Sequence, residues 1–288
     1  MRAKLALPVD PRGRLMPLVP PPAGGHAVRP VDAIAARYPA HPAYYDLVRV
    51  RQDQPDAERH LRAILEAHPE LVERMVSAGR GVMVGREDLG HTLSEGIELL
   101  GFRAVHSTAV LTAVVRSFEG DTHHLDAMSF WRRAALTGAT GGVIGATIGG
   151  GMDERAAVGG LMVHLGWLAL DMAGPDYLER LGEISGDEPP TETDEMDAFG
   201  FVVRDLTMAV LRRWGTPEEL VEAAADASAG LDTSPLAAVI LRGLAAADSI
   251  LAGEEPEDEA MHVLRGRGGS PGALLTRVDA LLAGVMLQ

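Results

Sequence analysis

The sequence predicts an all-α fold, a multi-helix bundle behind an extended N-terminal arm, on three observations. Apolar residues recur at three- and four-residue spacing along most of the chain. Asp, Ser, Thr or Pro stands ahead of those runs, where helices start. No segment alternates apolar and polar residues between turn signals as a strand would. The stretch Glu154–Met172, ERAAVGGLMVHLGWLALDM, reads as the central helix, with Val158, Leu161, Met162, Leu165, Leu168 and Ala169 on one buried face. His164 is the polar interruption of that face. Its helical neighbours Ala157, Gly160, Trp167 and Leu168 offer no ligand, so a core histidine is the preferred reading.

Taken in order, residues 1–30 carry seven prolines with Gly24 and Gly25, which predicts an extended arm. A first helical subdomain is expected over 31–120. Asp32 is placed to cap AIAARY, Pro42 to open a helix to Val50, Asp56 to cap AERHLRAILEAH, and Pro69 to open ELVERMVSAG, ended by Gly79 and Gly81. Thr92 or Ser94 can cap EGIELLGF, and Arg103–Arg116 forms an apolar helix; His91 and His106 read as a surface and a semi-buried residue. A helical core is expected over 121–252, followed over 253–288 by an acidic linker and an amphipathic helix from Pro271 to Met286. Within the core, Gly174-Pro175 opens DYLERLGEIS. The helices after Phe199 hinge at Trp214-Gly215, with Thr216 as cap and Pro217 at the first helical position, and Pro235 starts a helix to about Ala252.

Three motifs invite chemistry and receive a structural reading. His123-His124-x-Asp126 offers metal ligands, but adjacent histidines on a helix diverge by about 100°, so a helix start capped by Asp121 or Thr122 is preferred. TGATGGVIG, Thr137 to Gly145, resembles a dinucleotide loop, yet it follows the helical segment AMSFWRRAAL instead of a strand. Thr137, Gly141, Gly145 and Gly149 repeat every four residues and make a smooth helix face for a close neighbour. The acidic run from Asp187 to Asp197 lacks calcium-loop spacing and is stiffened by Pro189 and Pro190, which predicts a solvated loop and helix start.

Composition narrows the function classes. With 41 Asp and Glu against 26 Lys and Arg the net charge is −15, which argues against nucleic acid as the principal partner. There is no cysteine, hence no disulfide, thiolate site or cysteine nucleophile. No signal core or membrane span is expected, and a cytoplasmic location is compatible with this usage.

The ordered set ILEAHPELVERMVSAG, SEGIELLGFRAV, FWRRA, GGLMVHLGWLAL and FGFVVRDLTMAVLRRWGTPEELVEA resembles the HDOD family, the bacterial signalling relatives of HD-domain phosphohydrolases, from about Pro39 to Ala252. The resemblance implies a helical HD-like fold and, in catalytic relatives, histidines and aspartates that hold one or two metal ions. Carried over by position, the family's FWRHS falls on Phe130–Ala134, with Arg133 in place of the histidine. Its GLLHDIG places Val163 and His164 at the histidine and aspartate, FGxDH ends on Val202 and Val203, and a later histidine pair falls on Ala227 and Ser228. No catalytic residue, metal or cofactor is therefore expected. Arg133 is expected to fill the vacated volume, pairing with an acid such as Asp205 or lying near His164, or else to bind an anion.

The leading expectation is a non-enzymatic module acting by contact with an unidentified signalling protein, with a homodimer as a possibility. The alternatives are a sensor that binds an anionic small molecule or nucleotide at Arg133, His164 and Asp205, and a phosphohydrolase with an unconventional metal set drawn from His123, His124, His164 and Asp126 or Asp171.

Overall fold

A computed structural model describes residues 29–82, 97, 101–186, 189–257 and 270–286. All regular structure among them is helical. The N-terminal part holds α1 (Pro30–Ala35), α2 (Tyr44–Leu47), α3 (Ala57–Glu66), α4 (Pro69–Val82) and α5 (Phe102–Ser117). The core holds α6 (Ala127–Ile148), α7 (Met152–Met162), α8 (Leu165–Ala173), α9 (Asp176–Ser185), α10 (Glu192–Phe199), α11 (Val203–Arg213), α12 (Glu218–Ser228) and α13 (Pro235–Leu251). A last helix, α14, runs from Pro271 to Met286. Residues 1–28, His91, the EGIELLGF cap and most of the acidic linker lie outside the described residues.

The centre is built on small residues. A Cβ on Gly160 of α7 would stand 2.7 Å from the Gly138 amide nitrogen of α6, and one on Gly243 of α13 would stand 2.7 Å from the Gly141 nitrogen. Helix backbones therefore meet where ordinary side chains would hold them apart. Thr140 secures the second crossing by donating to the Gly243 carbonyl at 2.7 Å. The glycine-rich motif is thus a helix face from Thr137 through Gly145, as its four-residue spacing predicts, while Gly149 lies past the helix end as its C-cap at φ 83°. Beside it, Arg103 of α5 pairs with Asp153 of α7 at the edge of a cleft of about 340 Å³ floored by Gly138, Gly142 and Ala146.

The N-terminal helices dock through aromatic side chains. Trp214 donates its indole N–H to the Tyr38 carbonyl at 2.7 Å, and its ring meets Tyr44 edge-on. The Tyr44 hydroxyl is fully buried and shares a 2.8 Å hydrogen bond with Thr216. Thr216 is therefore occupied by Tyr44; the helix begins one residue later than the sequence predicts, with Pro217 in the N-cap position.

Other boundaries move for equally local reasons. Asp32 lies in the first turn of α1 and accepts from Arg29. The glycines Gly79 and Gly81 are accommodated within α4. The helix after the histidine pair starts at Ala127, because Asp126, not Asp121 or Thr122, accepts from the Ser129 amide. Thr191 and Asp194 form a reciprocal capping box at the acidic segment.

Candidate functional site

The central stretch is not one helix. Met152–Ala173 is apolar and long enough to cross a membrane, but 78% of its apolar window is buried inside the protein, and it breaks at Val163 and His164. His164 has φ −110° and ψ 16°, in the sparsely populated bridge between the helical and extended regions. Two close helix crossings flank the break. Gly160 holds α7 against α6, and Gly166 holds α8 against α11, where a Cβ would meet Thr207 Oγ1 at 2.5 Å and the Val203 carbonyl oxygen at 2.7 Å. The corner between them carries His164, whose ring reaches α6.

There it meets Arg133. The Arg133 Nη1 donates to His164 Nε2 at 2.8 Å. The acid that pairs with Arg133 is Asp248 of α13, gripped side-on through Nε–Oδ1 at 2.7 Å and Nη2–Oδ2 at 2.8 Å. Such a bidentate fork is the strongest geometry available to an arginine and a carboxylate. Asp205 is not the partner. It stands in the first turn of α11 and lines a separate surface cleft of about 330 Å³ with Arg29, Asp32 and Arg212. The structure thus brings two of the three anticipated residues together and supplies the acid from a helix the sequence reading had not connected to them.

The electrostatics follow from this geometry. Because Arg133 donates to Nε2, the His164 proton resides on Nδ1, which is buried and has no hydrogen-bond partner. Burial, then the adjacent guanidinium, pushes the His164 imidazole down to about 4, with Asp248 opposing. At neutral pH the site holds a neutral imidazole and a compensated ion pair. Below the ordinary histidine range the unfolded chain takes up a proton that the folded chain refuses until about pH 4. Stability therefore falls as pH drops from about 6.5 to 4, by at most roughly 3 kcal/mol. Urea titrations across that window should show the loss shrinking in His164→Gln, which keeps an acceptor for Arg133 but does not titrate. An unchanged pH slope would refute the assignment.

The remaining candidates have structural partners. His123, His124 and Leu125 direct their backbone N–H groups at the fully buried Asp171 carboxylate, at 2.8, 2.8 and 3.3 Å. The His124 ring reaches the Pro175 carbonyl at 3.1 Å. His106, read as semi-buried, is 1% exposed; its Nε2 lies 2.8 Å from the Leu47 carbonyl oxygen. Burial lowers its pKa, against the pull of the Leu47 carbonyl and Glu154. Asp248 was the residue sequence reasoning missed. Its one signal is that it is the only acid in the mostly apolar run Pro235–Leu251.

Comparison with known proteins agrees with this architecture. The fold matches a protein assigned as a phosphohydrolase from Shewanella amazonensis SB2B with TM-score 0.65 at 15% identity, over 88% of this chain and 97% of that one. It also matches a protein assigned to signal transduction from Marinobacter aquaeolei VT8, with TM-score 0.61 at 18% identity, over 91% of this chain and 61% of that one. An HDOD domain protein of unknown function from Geobacter sulfurreducens aligns with TM-score 0.57 at 15% identity, over 90% and 88% of the two chains. At these identities the likeness is one of fold. The comparison with curated proteins returned no match. The HDOD domain profile matches residues 39–229 of the 288, and the chain belongs to the HDOD family.

Proposed function

We propose that this protein is a non-catalytic HDOD module of bacterial signal transduction that works through contact with a partner protein. The observation that carries this reading is the ion pair of Arg133 and Asp248 with His164 bonded to the same guanidinium. By the family correspondence that place would hold a metal ion, and these residues do not fit one. A divalent cation there would face the fixed charge of Arg133, and two of the family's ligand positions carry the buried, apolar Val163 and Val203. For His164 to offer the Nδ1 lone pair, its proton would have to move to Nε2, against an Arg133 N–H. The ancestral chemistry is therefore read as lost and the scaffold as retained for recognition.

The sensor alternative is weaker for a specific reason. Asp248 already neutralises Arg133, so an anion would have to compete with a carboxylate held by two hydrogen bonds. The test combines metal analysis with turnover. Tag-free protein and His164→Ala are loaded with Mn²⁺, Fe²⁺ or Zn²⁺, desalted, and assayed on a generic phosphodiester. The expected result is no hydrolysis and equal metal content in the two proteins. Metal that is lost with His164, or activity that depends on it, overturns the proposal. A melting-temperature rise with nucleotide that Arg133→Leu abolishes would favour the sensor, because a ligand bound to the folded state stabilises it by mass action.

A further inference from the structure

Away from this cleft, three side chains of types that ligate metals converge on one point. His41 lies in the turn before α2, His68 joins α3 to α4, and Glu70 stands in the first turn of α4. The Glu70 Oε1 is 3.2 Å from His41 Nε2 and 3.3 Å from His68 Nδ1. The three donor atoms all lie within 4.8 Å of one another. We propose that His41, His68 and Glu70 form a binding site for a divalent transition metal, zinc in the first place, with its fourth position open to water.

The geometry supports this. With metal–ligand bonds of about 2.0–2.2 Å, the edges of a tetrahedral site are roughly 3.3–3.5 Å, close to both separations at Glu70. Two imidazoles and one carboxylate are a known zinc set, and imidazole donors discriminate against magnesium and calcium. The site is also pre-positioned. The His41 backbone N–H donates to Ser117 Oγ at 2.8 Å, fixing the turn to the end of α5. His41 and His68 rings stand edge-on with centroids 5.4 Å apart. The His41 side chain is 11% exposed, His68 23% and Glu70 46%, so solvent reaches the cluster from the Glu70 side. Burial lowers the His41 pKa and so favours the neutral ring.

Two features oppose binding, and neither dominates. Arg116 and Arg74 lie near, but both are engaged by Glu119. The Ala43 amide donates to His41 Nδ1 at 3.2 Å, so in the metal-free protein the His41 proton sits on Nε2 and points at Glu70. Metal at Nε2 requires that proton to move to Nδ1 and the Ala43 hydrogen bond to break, which lowers affinity by about tenfold to a hundredfold. A three-ligand site tolerates that loss.

Calorimetric titration of tag-free full-length protein with Zn²⁺ tests the site, with Co²⁺ absorption reporting geometry. The expected result is one equivalent bound at micromolar affinity or tighter, with a tetrahedral Co²⁺ band, and at least a tenfold loss in both His68→Ala and Glu70→Gln. Circular dichroism of the two variants verifies that they fold. His164→Ala should leave Zn²⁺ binding intact, which separates this site from the Arg133 cleft. Binding weaker than about 100 µM, binding unaffected by His68→Ala and Glu70→Gln, or binding lost with His164 each overturns the proposal.

Discussion

Asp171→Ala is expected to destabilise the protein by about 3–5 kcal/mol, read as a shift of the urea midpoint at constant slope. Asp171 is fully buried and accepts from three consecutive backbone N–H groups in the loop before α6. Alanine removes the acceptor and leaves those donors without a replacement, at roughly 1–3 kcal/mol each for the groups that stay out of water. Asp171→Asn keeps the volume and one carbonyl oxygen, so about half the loss should remain. A cost under about 1 kcal/mol for alanine would mean that the loop rearranges and that the carboxylate does not hold it.

The second large effect lies at the helix crossings. In Gly160→Ala the new methyl carbon would sit 2.7 Å from the Gly138 nitrogen and 2.8 Å from the Gly138 Cα and the Thr137 carbonyl carbon. These are backbone atoms, so no side chain can rotate away and α6 must separate from α7. A loss of about 3 kcal/mol is expected from overpacking, together with movement of the Arg133–His164 contact that the crossing positions. Gly182→Ala is the matched control. It lies on the exposed face of α9, where an added Cβ meets nothing within 4 Å. There alanine should stabilise by about 0.5–1 kcal/mol through helix propensity and reduced freedom of the unfolded chain. Thermal melts in which both variants shift the same way would contradict the close-packed reading of the glycine face.

Much of the helical layout was legible because its signals are local. Pro235 and Pro271 open α13 and α14, Gly174-Pro175 precedes α9, and the four-residue spacing of Gly141 and Gly145 announced a helix contact. The failures have a common cause. No proline interrupts Glu154–Met172, and the corner at His164 falls between crossings with two different helices, at Gly160 and Gly166. Thr216 carries a capping side chain that a buried tyrosine hydroxyl claims first. Asp248 lies 115 residues from Arg133 and outside every motif that carries the HDOD resemblance, so neither spacing nor resemblance pointed to it.

By itself the sequence determined the fold class and most helix starts, since periodicity and capping are properties of short segments. Only the tertiary structure decided where the central helix turns, that Asp248 and not Asp205 neutralises Arg133, and that His41, His68 and Glu70 meet. Those outcomes depend on which helices share a crossing, as where α6, α7 and α13 pack on glycines so closely that an added Cβ would come within 3 Å of backbone distant in sequence.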